Sequence, residues 1–454
     1  MTEEKKIFIA VLITSFMGPF MGSSINIAIP TMAADFGVPA QELSWVVTAY
    51  LLGSVALLVP FGRLADIVGR RHLYAVGTLA VAVATFLAGL MQTVPSLIFF
   101  RLLQGLALAT IFSTGMAMLV ASHAPGERGR VIGYSAASTY IGLSLGPVLG
   151  GLITQYMGWR LIFFLSAAVN LVSGLIALRV RGEWYGERHG GMDIRGCVLY
   201  SAASTMILYG ISAYASNPVM RYVFFGGILL LLAFVYEQLH SPAPLIDISL
   251  FKSTIFAMSN LAALLNYSAT FAISFLLSLY LQLIRGFDAS TAGLFLLLQP
   301  MMMALLSPRA GALSDRHEPR LVASAGMALT TLGIFGFSFL TAATPMIWVG
   351  MVFLLIGTGF AFFSSPNSNA IMGAVEPRFY GVASSMLSVM RISGQAMSMA
   401  VVTLLLAVYT ASTVAAAVTP AYLTELLAAI QSIFRILAVT CAVGVAASLA
   451  RGRR

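Results

Sequence analysis

One short turn combines a carboxylate, three guanidinium groups and two glycines: Gly62-Arg-Leu-Ala-Asp-Ile-Val-Gly-Arg-Arg71, set between two long apolar runs. It recurs in degenerate form as Gly311-Ala-Leu-Ser-Asp-Arg-His-Glu-Pro-Arg320, with Gly62 matching Gly311, Asp66 matching Asp315 and Arg71 matching Arg320. Gly62 and Gly69 permit close backbone approach, so Asp66 can face a helix N-terminus, a contact worth about 0.3–1 kcal/mol that can be made and broken. The plainer reading is a loop whose Arg70 and Arg71 only hold one membrane face. Three more arginines, Arg101, Arg391 and Arg435, fall inside apolar runs. A charge there costs at least about 2.5–3.5 kcal/mol, so each needs a partner or a wet cavity. At Arg101 a guanidinium can organise a proton relay, pair with an anion or donate to helix carbonyls. Arg391, followed by Gly394 and Gln395, suits a clamp between helices, and Arg435 can snorkel to an interface.

The elements that must position these groups are membrane helices. The chain has 454 residues, of which 59% are hydrophobic and 9% charged, against about 25% charged in soluble domains. Apolar stretches of roughly 20 residues or more, separated by short charged turns, read as helical spans and not as barrel strands. They fall near 7–29, 43–62, 73–93, 96–120, 129–153, 160–180, 194–214, 219–239, 256–284, 289–312, 319–341, 345–372, 378–408 and 426–448. That is an all-α polytopic membrane protein of about fourteen spans. The longest connections, 181–193 and 240–255, are too short for a domain with its own core, so no catalytic module is expected and the chain is not read as an enzyme.

The net charge of +9 does not point to nucleic acid, because the basic residues are sorted by side. With both termini cytoplasmic, only Arg160, Arg221 and Arg285 lie outside, Arg101, Arg391 and Arg435 lie within spans, and the rest lie inside, as the positive-inside rule requires. Cys197 and Cys441 read as small core residues, and His72, His123, His189, His240 and His317 are scattered without metal spacing. No Gly-x-x-x-x-Gly-Lys-Ser/Thr loop is present to bind ATP, and no cofactor is expected. The first apolar run, after Lys5 and Lys6, is long enough to span and is read as an uncleaved helix.

The two charged turns are eight spans apart. The simplest layout is two six-helix halves, 1–181 and 254–454, related by a parallel repeat, with an extra helical pair in 182–253. A duplicated membrane unit of this kind suggests a transporter.

Gly62-x-Leu-x-Asp-x-x-Gly-Arg-Arg resembles the signature loop of the major facilitator superfamily. Gly142-x-x-x-Gly146-Pro147-x-x-Gly150-Gly151 is similar to that superfamily's drug antiporter motif. Arg101-x-x-Gln104-Gly105, Trp159-Arg160-x-x-Phe163-Phe164 and Pro244-Leu-Ile-Asp-Ile-Ser-Leu-Phe251 resemble further motifs of its fourteen-helix drug:proton antiporter family. The resemblance implies a conformational latch of Gly62, Asp66, Gly69, Arg70, Arg71 and Asp315, with span thirteen near Arg378 and Gly381 as partner of the first turn. Ile67 stands where a basic residue is usual. It also implies that span five, kinked at Pro147, packs its glycines against span ten at Gln299-Pro300 and seals the leak path, the alternative being ordinary close packing.

Met21 stands where many members carry Asp, and all sixteen acidic residues lie in loops or near span ends. The proton-coupling candidates are therefore Asp35 and Asp66, with Arg101 beside them. A central cavity built as the resemblance implies selects Asn26, Trp45, Tyr50, Arg101, Gln104 and Tyr140 from one half, and Asn266, Tyr267, Gln299, Asn367, Asn369, Arg391 and Gln395 from the other. Helix-to-helix hydrogen bonding is expected for about half of them. The expected activity is export of small amphipathic organic compounds, neutral or anionic, against proton entry across the cytoplasmic membrane, by a monomer. A proton-independent facilitator or exchanger of an organic anion, and a non-transporting membrane sensor, are the alternatives.

Overall fold

The computed structural model describes residues 2–38, 40–186, 191–212, 218–287, 289–409 and 420–452. Arg188, His189, Asp288, Arg453 and Arg454, assigned to loops by sequence, lie outside them. Among the described residues every regular element is helical.

Helix α1 (Glu3–Phe36) starts behind Thr2, whose hydroxyl accepts the Lys5 N–H, and stops at Gly37, where φ is 67°. Span two is made of α2 (Ala40–Ala56) and α3 (Leu58–Val68), bent by 46° at the break. The cause is Pro60, which offers no N–H to the Ala56 carbonyl one turn earlier and crowds it with its ring. Next come α4 (Arg70–Leu90), α5 (Val94–Ser122), α6 (Arg128–Met157) and α7 (Arg160–Leu178), then α8 (Ile194–Ser212) and α9 (Pro218–His240). Helices α10 (Thr254–Thr270) and α11 (Ile273–Leu279) run on through a π turn to Ile284 as a single span. The chain continues with α12 (Ala289–Arg316), α13 (Pro319–Phe337), α14 (Met346–Gly373), α15 (Tyr380–Tyr409) and α16 (Pro420–Ala450). With the bent pair taken as one, fourteen helices among the described residues are long and apolar enough to cross a bilayer. They coincide with the spans expected from sequence; the breaks in spans two and nine are what the apolar pattern did not reveal.

Helix α1 packs on α6 and α7, α4 on α5 and α7, and α2 on α5. In the later part of the chain α10 packs on α15 and α16, α13 on α14 and α16, and α12 on α14. The two groups meet along α6 with α12 and α14, and along α3 and α5 with α15. Helices α8 and α9 pack on each other, and α8 also lies against α2, α3 and α15. Contacts this close need small residues, since without a hydrophobic drive between helices in lipid their association rests largely on close packing and interhelical hydrogen bonds.

Candidate functional site

At one end of the bundle the charged turn of α3 and α4 closes on the start of α15. Asp66 and Arg70 are both buried and paired, Arg70 Nε donating to Asp66 Oδ1 at 2.8 Å. The Gly381 N–H, at the N-terminus of α15, donates to the same oxygen at 3.3 Å. Arg70 Nη2 reaches the Pro377 carbonyl at 2.6 Å. A Cβ on Gly381 would stand 2.5 Å from Asp66 Oδ1 and 2.6 Å from the Gly62 carbonyl, so only glycines let these backbones meet. Tyr380 is buried between two cations, with the guanidinium carbons of Arg70 and Arg128 at 5.5 and 5.6 Å from its ring centroid.

The second turn repeats this contact in the opposite sense. Asp315, at the end of α12, accepts the Gly129 N–H at 2.7 Å and the Arg130 N–H at 2.9 Å, both at the N-terminus of α6. A Cβ on Gly129 would stand 2.7 Å from Asp315 Oδ1 and would also strike the Gly311 carbonyl. Each carboxylate thus faces the positive end of a helix dipole from the other group of helices. Asn369 joins the second contact, donating to Ser314 Oγ at 3.0 Å.

Arg71 and Gly69 serve a different contact. Glu183, after α7, accepts the N–H groups of Arg71 (2.7 Å) and His72 (3.0 Å) and pairs with Arg71 Nε at 3.2 Å, which caps α4. Gly69, with φ of 117°, makes the sharp entry to α4 that Glu183 covers. The chain after Glu183 then runs beside the turn, the Arg70 N–H donating to the Trp184 carbonyl and the Gly186 N–H to the Asp66 carbonyl.

Inside the membrane, Arg101 of α5 is buried and satisfied. Its Nε donates to the Val46 carbonyl of α2 at 2.9 Å, its Nη1 to Gln104 Oε1 at 2.6 Å, and its guanidinium lies 4.2 Å from the Tyr50 ring centroid. Gln104 Nε2 donates to Thr85 Oγ1 at 2.7 Å and lies 3.0 Å from Met21 Sδ. Between the two groups of helices, Tyr140 donates to Ser364 Oγ at 3.1 Å and meets Phe360 edge-on, and Tyr267 meets the same ring at 5.5 Å. Met303 completes this cluster. Half-buried Arg391 lies 5.1 Å from the Phe112 ring centroid, so an aromatic wall and a cation share the seam. Phe360, Ser364 and Met303 were not singled out by sequence. The signal was the polar run Ser364-Ser365-Pro366-Asn367-Ser368-Asn369 in an otherwise apolar span.

Several selected residues sit elsewhere. Trp45 packs against Tyr209 of α8, their ring centroids 5.5 Å apart and their planes tilted by 40°. Asn367 donates to the Ser259 carbonyl at 3.1 Å and accepts from Arg451 at 3.0 Å, a packing contact among α10, α14 and the end of α16. Asn26 is exposed on α1, Gln395 is half-buried on α15, and Asn266 is buried with neither side-chain polar atom paired among the described residues. Gln299 is buried, its Oε1 unpaired among the described residues. Asp35, at the end of α1, accepts from Arg160 Nη1 at 2.5 Å and from Trp159 Nε1 at 3.1 Å. The Arg160 bond foremost, then that of Trp159, holds its carboxyl below the ordinary carboxylate range.

The glycine face of span five does not pack on span ten. A Cβ on Gly150 would stand 2.6 Å from Ser24 Cβ, those on Gly142 and Gly146 would strike Phe16 and Ser23, and Gly151 lies near Ile27, all on α1. Ser24 Oγ donates to the Gly146 carbonyl at 2.9 Å. At about 100° per residue, Gly133 projects half a turn away from Gly142, and it is Gly129 and Gly133 that meet α12. Pro147 lies within α6 beside this α1 contact.

Comparison with known proteins agrees with this architecture. The chain is 29% identical over 392 residues to the riboflavin transporter RibZ of Clostridioides difficile (strain 630), covering 86% of each chain. It is 29% identical over 415 residues to the multidrug resistance protein Stp of Mycobacterium tuberculosis (strain CDC 1551 / Oshkosh), covering 88% of this chain and 76% of Stp. The solved human organic anion transporter MFSD10 (TETRAN) superposes with a TM-score of 0.67 over 99% of this chain and 100% of its own, at 15% identity, which is a likeness of fold. Residues 11–399 match the family model described as Major Facilitator Superfamily. With its duplicated charged turn, its helical spans and this match, the chain belongs to the Major Facilitator Superfamily of membrane transporters.

Proposed function

We propose that this protein is a secondary active exporter of amphipathic organic compounds in the cell membrane, working as a monomer by rocking of 1–181 against 254–454. The observation that carries the reading is the reciprocal pair of contacts, Asp66 to Gly381 and Asp315 to Gly129, on one face. Two carboxylates each seated on the other half's helix N-terminus form a closure that the next state of the cycle must break. The face they close is the one we assign to the cytoplasm. Export is supported by the relative named as a multidrug resistance protein.

The seam of Tyr140, Tyr267, Phe360 and Met303 beside Arg391 suits a flat apolar body with a neutral or anionic edge. Proton entry is proposed as the driving force. Asp66 is favoured over Asp35 as its carrier, because Asp66, although paired with Arg70 through Oδ1, is buried with Oδ2 unpaired among the described residues, whereas Asp35 is paired with Arg160 at an exposed position. Arg101 is proposed to set the field around this path. A proton-independent exchanger of an organic anion is the second reading, favoured by the satisfied Arg101 and by Met21 where an acid would complete a relay.

Substrate-dependent proton flux in proteoliposomes, for the wild type, Asp35→Asn and Asp66→Asn, tests this. Flux in the wild type and Asp35→Asn, lost in Asp66→Asn, is expected. Substrate counterflow without proton flux would select the exchanger, and ligand binding without counterflow a sensor.

A further inference from the structure

Pro60 leaves the Ala56 carbonyl without its helical donor in the middle of an apolar bundle, where a lone carbonyl is costly. The missing donor comes from the inserted pair of helices. Ser201 Oγ of α8 donates to the Ala56 carbonyl at 2.7 Å, and the neighbouring Tyr200 hydroxyl donates to the Val55 carbonyl at 3.3 Å. On the other side of the break, Ser113 Oγ of α5 donates to the Leu58 carbonyl at 2.8 Å. The same helix also touches the other half: Leu208 packs in a cluster with Val55, Leu58 and Ile392, and Tyr200 in one that includes Val382, Ala383 and Met386 of α15. Span two is therefore held at three heights. Arg101 holds its outer part through the Val46 carbonyl, α8 holds the break, and the contact of Asp66 with Gly381 holds its inner end.

We propose that α8 is a splint for the proline break of span two, with Ser201 as the positioning residue that supplies the hydrogen bond Pro60 removes and Tyr200 as its support. The bend is stable in the latched form because the donors come from α8, and straightening or swinging span two must release them. The inserted pair thereby gives this transporter a third body that favours one side of the cycle. This rests on the rocking reading above.

The test uses spin labels at Gly126→Cys and Glu376→Cys, exposed positions ahead of α6 and α15, in full-length protein lacking Cys197 and Cys441. Double electron–electron resonance reads the ratio of the short, latched distance to the long one. Ser201→Ala is expected to lower that ratio at least about threefold, in line with loss of one buried hydrogen bond, while Ser201→Thr leaves it unchanged. Pro60→Ala restores an N–H at the break, so Ser201→Ala should have no effect in that background. An equal shift in both backgrounds, or no shift in either, overturns the splint. A wild type with one distance under all conditions overturns the rocking reading along with it, whereas two distances in a ratio that Ser201→Ala leaves alone sinks the splint only.

Discussion

Asp66 and Arg70 bury opposite charges together, and the two partners cannot be removed with the same expectation. Arg70→Ala strands a buried carboxylate and is expected to cost about 3–5 kcal/mol of stability, so it tests folding and not gating. Asp66→Asn keeps the shape and an acceptor for Arg70 but removes the charge that faces the α15 dipole; it also leaves buried Arg70 without its counter-charge, so its effect on closure must be read apart from any loss of stability. Its expected effect is a two- to fivefold fall in the latched population, about 0.3–1 kcal/mol, read by the same resonance distances. Asp35 makes a prediction of opposite character. Its carboxyl is held down by Arg160, so the stabilisation it brings is present above the unfolded value, about 3.9, and is lost as pH falls through the lower folded value. Melting curves of Asp35→Asn should fall below wild type at neutral pH and converge with it only in acid below the lowered folded value, with no change in the pH dependence of transport. Arg101 has no such freedom: Arg101→Lys gives up the planar fork that reaches Val46 and Gln104 together, and transport should drop even though the charge is kept.

Helix α6 shows how one span can serve two neighbours. Gly146→Leu would drive a side chain into Ser23 and the backbone of α1, and is expected to lower stability by about 1–3 kcal/mol in thermal unfolding of purified protein. Gly151→Ala should be tolerated, because its Cβ would meet only Ile27 Cγ2 at 3.7 Å. The spacing of Gly142, Gly146 and Gly150 made the close-packed face readable in sequence, since every fourth residue shares a face. Which helix it meets was not readable, because a glycine face fits any small-residue neighbour, and Ser23 and Ser24 on α1 offered as good a partner as α12. Pro60 could have been read as a break from its missing N–H alone, but its repair by Ser201 is a contact across more than one hundred residues that no local pattern carries.

For the whole molecule, the span count was legible because hydrocarbon forces long apolar helices whose length and composition stand out in the sequence. The reciprocity of the two turns was half legible. Asp66 and Asp315 could be matched by spacing, but Gly129 as the partner of Asp315 is visible only once α6 and α12 are side by side. Trp45 and Asn367 show the limit: their polarity or size marked them out, yet Tyr209 and Arg451 claim them for packing. The mirrored turns also amount to redundancy. Each of the two groups of helices carries one hook and one eye, so on the proposed cycle a chain that has lost either carboxylate is expected to close on the other. If the halves move as rigid bodies, the logarithmic effects of Asp66→Asn and Asp315→Asn on closure should add in the double variant. In the rocking cycle proposed above, such a paired fastening lets each contact stay weak enough to open at every turn, while the two together keep the shut state in register.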